Sequence, residues 1–365
     1  MTDLVHDDGT CGEPAATSVA GPGTGWQVEW ASGGLISGFI TGTTGHADWV
    51  RSAATTVVDG RAVAITGADD EAVLVWDLAT GKRIGAALPA RGSVWTAVTE
   101  LVDGRTVVLI ADPSALVQSW DLAEGRPLAS LAGGAAAAAT GVVNGRPVVL
   151  MGRQNVPRLL MWDPATGEVV GDLVSDPPAR RVGAVVAVAT AVVDGHTKAV
   201  TLHDDSTVGA WNLTERLHQG QVAPPTGGDR QRVSLTAAVV GGRLVAVTGS
   251  WDGQVQVWDV AACTEATGRE PLTGHTGPVW ALATTVIDRR PLVVTGGDDQ
   301  TVRVWDMAAH RQVGLDLVFP SEVTAVTMAS DGRLVVGFGS DLAVLAPHPH
   351  AWAGASNSPG AANWC

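Results

Sequence analysis

The sequence is poor in positive charge. Lys82 and Lys198 are its only lysines, and 23 Lys and Arg residues stand against 37 Asp and Glu, which gives a formal net charge of −14. Proteins that follow a nucleic-acid backbone need clustered Lys and Arg to displace counterions, and binding to anionic lipid needs a basic run. The sequence contains neither, so we expect no nucleic-acid partner and no membrane partner.

Long hydrophobic runs and a cysteine framework are also missing. The apolar runs are about 5–10 residues long, too short to span a bilayer. The start of the chain carries Asp3, Asp7 and Asp8 in place of the basic and apolar regions of a secretory signal. The cysteines are an odd number at unrelated spacings: Cys11, Cys263 and Cys365. These absences predict a soluble protein of the reducing cytoplasm.

Motifs for nucleotide, nucleophile and zinc chemistry are absent too. The sequence has no Gly-x-x-x-x-Gly-Lys-Ser/Thr loop, no Gly-x-Ser-x-Gly turn and no His-Glu-x-x-His pair. The runs 203–205 (His-Asp-Asp) and 348–350 (His-Pro-His) each offer too few ligands for a closed metal site. We therefore expect no catalytic residues, no cofactor and no metal.

What the sequence does contain is a repeated hairpin. Two hydrophobic runs joined by a two-residue turn recur at spacings of 41 to 50 residues, the length of one propeller blade. Such turns place both central residues at positive φ, which Asp-Gly and Asn-Gly accept readily. The seven turns are Asp59-Gly60, Asp103-Gly104, Asn144-Gly145, Asp194-Gly195, Gly241-Gly242, Asp288-Arg289 and Asp331-Gly332.

A second marker is in phase with the first. Six short β-rich stretches end in Trp-Asp or Trp-Asn, at Trp76, Trp120, Trp162, Trp211, Trp258 and Trp305. With these markers the sequence resembles the WD-repeat family, and specifically its bacterial type. The resemblance implies an all-β fold, a seven-bladed β-propeller of four-stranded antiparallel blades.

The resemblance also implies how the ring closes. The seventh repeat lacks a fourth strand, and the prolines that follow it at 347 and 349 cannot supply ladder donors. In the family an N-terminal strand completes the last blade, and we assign Gly34–Thr41 to this strand. The expected organisation is a flexible extension (1–32), the propeller (33–346) and a C-terminal tail (347–365).

Two repeats match the family's buried hydrogen-bond tetrad of His, Thr, Asp and Trp. They are His46, Thr66, Asp70 and Trp76 in the first repeat, and His275, Thr295, Asp299 and Trp305 in the sixth. A His-Asp pair with a hydroxyl could also form a hydrolytic triad. The resemblance favours a structural role, in which these groups satisfy one another inside a blade. The fourth and fifth repeats keep Thr, Asp and Trp but lack the His.

Several aromatic residues have no place in the tetrad. Trp95 and Trp280 lie 25 residues before the Trp of their repeats, and Arg51 has this place in the first repeat. In the family this position begins the strand that lines the central channel, near one rim, and Trp49 and Trp251 fall in loops near the same rim. Aromatic residues and Arg dominate protein-binding hot spots. They could equally plug the mouth of the channel, and both interpretations stay open.

These observations favour a monomeric, non-catalytic scaffold that presents its loops and an aromatic-rich rim to a protein or peptide partner. An alternative is a small-molecule-binding or enzymatic propeller that uses the central channel, which rests on fold analogy alone. A minor alternative is a carrier whose C-terminal tail is modified, for example at Cys365.

Overall fold

The chain forms a ring of seven four-stranded antiparallel blades, as predicted. The computed structural model describes residues 26–31, 45–112, 116–152, 158–174, 183–222, 232–260, 264–265 and 270–347, and these contain strands and turns without helices. In each of the first six blades the four strands follow one another from the inside of the ring to the outside. The seventh blade takes its outer strand from the other end of the chain.

The strands are numbered along the chain, after β1 (Trp26–Ala31). Blades 1 to 3 are β2 (Val50–Val58), β3 (Arg61–Ala68), β4 (Ala72–Asp77), β5 (Leu88–Pro89); β6 (Thr96–Val102), β7 (Arg105–Ala111), β8 (Leu116–Asp121), β9 (Arg126–Ala132); β10 (Ala137–Val143), β11 (Arg146–Gly152), β12 (Arg158–Trp162), β13 (Val169–Val174). Blades 4 and 5 are β14 (Val185–Val193), β15 (His196–His203), β16 (Val208–Asn212), β17 (Leu217–Val222); β18 (Arg232–Val240), β19 (Arg243–Ser250), β20 (Val255–Asp259), β21 (Thr264–Glu265). Blade 6 is β22 (Val279–Ile287), β23 (Arg290–Gly297) and β24 (Thr301–Asp306), with its outer strand divided into β25 (Arg311–Gln312) and β26 (Leu317–Val318); blade 7 is β27 (Val323–Met328), β28 (Leu334–Phe338), β29 (Asp341–Pro347) and β1.

The hydrophobic core lies between blades. Trp120 of blade 2 packs in one buried cluster with Val73 of blade 1, and Trp211 of blade 4 packs in another with Leu159 of blade 3. Each of the six Trp residues that carry the repeat signature lies in a cluster with the blade before it. The signature tryptophan therefore serves as the packing element between consecutive blades.

Threonine hydroxyls join the inner strands around the channel. Thr99 and Thr140 each donate to a main-chain carbonyl oxygen of the preceding blade, at 3.3 and 3.4 Å, and Thr190 does so at 2.6 Å. Thr55 of blade 1 donates to the carbonyl oxygen of Met328 in blade 7, at 2.9 Å. The first and last blades are thus linked by the same contact as their neighbours.

Six of the seven predicted turns have positive φ at both central residues, from Asp59-Gly60 to Asp288-Arg289. The seventh is a longer turn, so a two-residue turn at Asp331-Gly332 is wrong. There the Gly332 amide donates to the Ala329 carbonyl, and only Gly332 of the pair has positive φ, at 87°. This arrangement is a three-residue loop with a glycine bulge, which also uses an Asp-Gly pair.

Replacing Arg289 with Gly is expected to stabilise the protein by about 0.5–1 kcal/mol. Arg289 has a left-handed φ of 62°, and this conformation costs a residue with a side chain roughly 1–2 kcal/mol in the folded protein. Glycine avoids this cost, but its greater conformational freedom in the unfolded chain offsets part of the gain. Gly195→Ala is the matched reverse change, because a Cβ there meets no atom within 4 Å. Urea unfolding followed by circular dichroism measures both. An Arg289→Gly variant no more stable than the parent protein would contradict the prediction.

An N-terminal strand closes the ring, as predicted, but the segment assigned to it was wrong. The outer strand of blade 7 is β1, which pairs antiparallel with β29 from Trp26 opposite Pro347 to Ala31 opposite Ala343. Gly34–Thr41 lies outside the described residues. The side chain of Trp26 is buried and Glu29 pairs with Arg333 at 2.8 Å, so this segment has the two-sided pattern that an outer strand needs. Six residues of the expected 1–32 extension belong to the propeller.

Within the described residues, no helix is long and apolar enough to cross a membrane.

Candidate binding site at the mouth of the channel

A β-bulge at the start of the inner strand turns one residue toward the channel. The pairing of the inner strand with the next one shifts register in five blades, and the residue left out of the ladder is Arg51, Val186, Val233, Trp280 or Thr324. A bulge re-aims the side chain of the extra residue. Trp95 and Ala136 hold the same place immediately before the inner strands β6 and β10.

All seven of these residues line a single cavity. It has a volume of about 860 Å³ and is the mouth of the central channel, which we call the mouth. Trp251, from the turn between β19 and β20, also lines it. The structure therefore brings together four of the five predicted binding residues in the mouth, and the fifth, Trp49, lies beside Arg51 at its edge.

The mouth is lopsided. Trp95 and Trp251 are 53% and 48% exposed, and together with Trp280 and Arg51 they form a bulky arc over blades 5, 6, 1 and 2, with the smaller Thr324 of blade 7 between blades 6 and 1. Small side chains line the rest of the ring, on blades 3, 4 and 5: Ala136, Ala184, Val186 and Val233. Among the described residues, an exposed aromatic arc therefore faces small side chains across the mouth.

The bulky side chains are held in place by their neighbours. Trp251 and Trp280 meet edge to face with ring centres 5.0 Å apart, and the Trp280 Nε1 donates to Asp298 at 3.1 Å. The Arg51 guanidinium donates to Asp69 at 2.7 Å and lies 5.4 Å from the ring centre of Trp49. These contacts reduce the freedom that the side chains would lose on binding, which favours affinity.

The described part of the face that surrounds the mouth is acidic. We call it the mouth face, meaning the loops that precede the inner strands and the turns between second and third strands. Its described residues carry the carboxylates Asp48, Asp69, Asp70, Glu71, Asp112, Asp204, Asp205, Asp252, Asp298, Asp299, Glu322 and Asp341, against the guanidinium groups of Arg51 and Arg91. The ion pair with Asp69 offsets the charge of Arg51. Among the described residues of this face, carboxylates therefore outnumber guanidinium groups, which favours the binding of positively charged groups.

The described wall of the channel carries few ionisable side chains. Below the mouth it consists of Ala, Val, Leu, Thr and Ser side chains, and the ionisable residues among its described lining are Arg51 and Asp204. Across the described residues, no group of three or more His, Cys, Asp or Glu side chains is placed to hold a metal ion.

The two predicted tetrads are hydrogen-bonded chains inside blades 1 and 6. The His46 ring bonds Asp70 at 3.0 Å and Thr66 at 2.8 Å, and the Trp76 Nε1 donates to the same threonine oxygen at 2.9 Å. In blade 6, His275 bonds Asp299 at 2.9 Å and Thr295 at 2.7 Å, and Trp305 donates to Thr295 at 2.9 Å.

The order Asp-His-Thr is that of a hydrolytic triad, but the hydroxyl is out of reach. Thr66 and Thr295 have no exposed surface, and a tryptophan N–H donates to each hydroxyl oxygen. A nucleophile must contact its substrate. Burial raises the pKa of Asp299, but hydrogen bonding and attraction to His275 outweigh it and hold that pKa well below its usual range. The hydrogen-bonded chain therefore favours an ionised Asp299 carboxylate, which orients the histidine inside the blade.

Blade 4 contains a histidine bridge that the sequence spacing does not reveal. His203, two residues after Thr201 on the same strand, bonds the Thr201 hydroxyl at 3.0 Å and the Gly183 carbonyl at 2.8 Å, and Trp211 donates to Thr201. In blades 1 and 6, where a histidine of the preceding loop bonds the threonine, the position two after the threonine is Ala68 or Gly297. In blade 4 a histidine on the strand thus takes the place of the loop histidine. Both ring nitrogens of His203 are used within the blade, which leaves none for a metal.

Blades 2 and 3 lack the hydroxyl. The indole N–H groups of Trp120 and Trp162 are buried without a hydrogen-bond partner. The position ten residues before each is Ile110 or Gly152, where the tetrad blades have Thr. Their tryptophans therefore contribute through apolar packing.

Trp76→Phe should cost about 1 kcal/mol more stability than Trp120→Phe. Both changes remove similar apolar area from an interface between blades, but only Trp76 loses a hydrogen bond to a buried hydroxyl. An intramolecular hydrogen bond contributes about 1 kcal/mol net. Chemical unfolding of both variants gives the difference, and equal costs would show that the Thr66 contact adds nothing.

The free energy of unfolding is expected to fall between pH 7.5 and pH 5. Burial lowers the pKa of both His46 and His203 below 6.5. The unfolded chain therefore binds protons more readily, so the stability is fully present above pH 6.5 and is lost as the pH drops below that value. A His46→Gln/His203→Gln variant should be less stable and less dependent on pH in urea titrations. His196→Gln, at an exposed site, should keep the parental slope; a double variant with that same slope would contradict the prediction.

Comparison with protein families gives one match. Residues 236–259 and 268–306 match the family model described as WD domain, G-beta repeat, and these ranges lie in blades 5 and 6. A search of curated proteins gave no match. Propellers of this family generally bind protein partners and are typically non-catalytic scaffolds. The match in two repeats, together with seven four-stranded blades, supports a WD-repeat β-propeller.

Proposed function

We propose that this protein is a non-catalytic scaffold that holds a protein or peptide partner at the mouth. The observation that carries the proposal is the ring of inner-strand residues turned into one cavity, with Trp95, Trp280 and Arg51 among them. The proposal includes three expectations from the sequence: a monomeric propeller, a WD-repeat protein of bacterial type and a location in the cytoplasm.

Burial of the exposed tryptophans supplies the driving force. Binding hot spots are enriched in Trp and Arg because these side chains bury large surfaces in desolvated pockets. Trp95 is more than half exposed in the free protein, so a partner that covers it removes much apolar surface from water. Trp251 and Trp280 already contact each other, which presents a preformed edge.

The charge of the mouth face selects the partner. Carboxylates at Asp204, Asp252 and Asp298 lie in the turns next to the aromatic arc. A segment that carries Lys or Arg would be attracted to this face and an acidic segment repelled. We therefore propose a basic segment as the bound element.

The test is capture of partners from a native lysate with matched variants. Trp95→Ala/Trp280→Ala should lose the partner that the parent protein retains, while Leu101→Ala/Val286→Ala, at the opposite end of the same inner strands, should keep it. Raising the salt concentration should weaken capture, since the charges are exposed. Equal capture by both double variants would contradict the proposal.

The size of the cavity favours one second candidate, a small ligand bound in the channel. Its volume of about 860 Å³ lies within the range of ligand pockets, about 300–1,000 Å³. Such pockets usually bring several polar groups together, whereas Arg51 and Asp204 are the ionisable groups of the described lining. A metabolite that stabilises the parent protein but not an Ala136→Leu variant, which narrows the cavity from its lining, would favour this candidate.

The carrier alternative falls on Cys365 and the tail around it, which lie outside the described residues.

A further inference from the structure

Six inner strands carry an exposed apolar residue at the end opposite to the mouth. In each, the residue is the last but one of the strand, just before the hairpin turn: Val57, Leu101, Val142, Val192, Val239 and Val286. Consecutive inner strands contact one another around a closed ring. The six side chains therefore surround the second opening of the channel, and we call them the collar.

The collar has the anatomy of an interface. Leu101, Val192 and Val286 are each more than 60% exposed, which is unusual for apolar side chains that recur at one position. The adjoining hairpin turns place Asp and Arg side chains around it, such as Asp59 with Arg61 and Asp103 with Arg105. An apolar centre within a polar rim marks a surface that another segment covers.

Both ends of the described propeller lie on this side of the ring. Trp26 pairs with Pro347 at the hairpin end of blade 7, and a Cβ built on Gly332, in the seventh hairpin turn, would lie 3.7 Å from the Pro347 side chain. Blade 7 is also where the collar is interrupted, because the register places Ser330, in the longer seventh turn, at the position equivalent to Val57. The chain after residue 347 thus starts beside the gap in the collar.

The composition of the two outer segments distinguishes them. Residues 1–25 carry Asp3, Asp7, Asp8 and Glu13 without Lys or Arg. Residues 348–365 contain no Asp, Glu, Lys or Arg and include Trp352 and Trp364. An uncharged segment with two tryptophans matches an apolar surface better than an acidic one, since burying an unpaired charge is costly.

The chain after residue 347 is long enough for its two tryptophans to reach the collar. Two strand spacings of about 4.8 Å separate the third strand of a blade from its inner strand. Five residues from Pro347 to Trp352 span up to about 17 Å, and Trp364 lies twelve residues further along the chain. We infer that residues 348–365 dock across the collar, with Trp352 and Trp364 packed on its valine and leucine side chains.

A disulfide-trapping experiment in the full-length chain tests the inference. Cys11 and Cys263 are replaced by Ser, and Cys365 is kept as the reporter beside Trp364. A second thiol is placed by Leu101→Cys, in the collar, or by Trp95→Cys, at the mouth. The two sites are matched, because Leu101 lies near the end of the inner strand β6 and Trp95 immediately before its start, and they are 63% and 53% exposed.

Mild oxidation of dilute protein should form an intramolecular disulfide from the collar thiol at least tenfold faster than from the mouth thiol. Adding Trp352→Ala/Trp364→Ala should remove most of this difference while thermal melting stays unchanged. Equal rates for the two thiols would overturn the inference. So would disulfide-linked dimers through the collar thiol, since a second copy would then cover the collar, or a rate advantage that survives loss of both tryptophans.

Discussion

Replacing Trp26 with Ala should lower the free energy of unfolding by about 3–5 kcal/mol, the range for a large buried aromatic side chain. Trp26 is only 2% exposed and belongs to the core cluster between blades 6 and 7, with Phe319, Phe338 and Leu345. It is also the first residue of β1, so its loss loosens the strand that covers β29. Chemical unfolding monitored by circular dichroism measures the effect.

Two comparisons isolate the cause. Glu29→Ala, on the same strand, removes only a partly exposed ion pair with Arg333 and should cost about 1 kcal/mol or less. Deletion of residues 1–25 leaves β1 intact and should preserve the melting temperature, while deletion of residues 1–31 exposes the edge of β29 and should lower it sharply. Equal melting of the two deletion variants would show that β1 does not hold the ring closed.

The number of blades could be predicted because its signals are local. An Asp-Gly or Asn-Gly pair fixes a tight turn through positive φ, whatever surrounds it, and this held for the turns at Asp59, Asp103, Asn144 and Asp194. The same chemistry also permits a glycine bulge, which is why Asp331-Gly332 was misjudged. The local pattern identifies a turn but leaves its length open by one residue.

The closing strand was misassigned for a different reason. Its identity depends on pairing between residues more than 300 positions apart, Trp26 with Pro347, and no local signal selects the segment. Gly34–Thr41 was favoured because of its spacing: it lies just before the first His of the repeats, where an outer strand is expected. The buried side chain of Trp26 and the ion pair of Glu29 decide the pairing, and both are long-range contacts.

The mouth was predicted in part. Arg51, Trp95 and Trp280 were predicted because each lies 25 residues before a signature Trp and is of a residue type common in binding sites. The same spacing gives Val186 and Val233, which the bulges turn into the cavity as well. His203 was missed because it reaches its threonine from the strand itself, and only three-dimensional geometry shows that this replaces a histidine from the preceding loop.

Replacing His275 with Ala should destabilise blade 6 by about 3 kcal/mol or more. The change leaves a cavity, removes the hydrogen bond to the Thr295 hydroxyl and takes one donor from the Asp299 carboxylate, whose side chain is only 7% exposed and which keeps donors from Thr276 and Thr301. Removing one partner of a buried polar pair costs more than the pair contributes, because the remaining group regains neither its partner nor its water.

His203→Ala is the matched comparison, because it removes the same buried ring from a chain whose other end is the neutral Gly183 carbonyl. Its cost should be at least about 1 kcal/mol smaller, since hydrogen bonds to charged groups contribute more than neutral ones. Chemical unfolding of both variants at pH 7.5, where the histidines are neutral in the unfolded chain, gives the two values. Equal costs would mean that the cavity accounts for both and that the carboxylate adds no stability, which would reduce the tetrads of blades 1 and 6 to packing elements like those of blades 2 and 3.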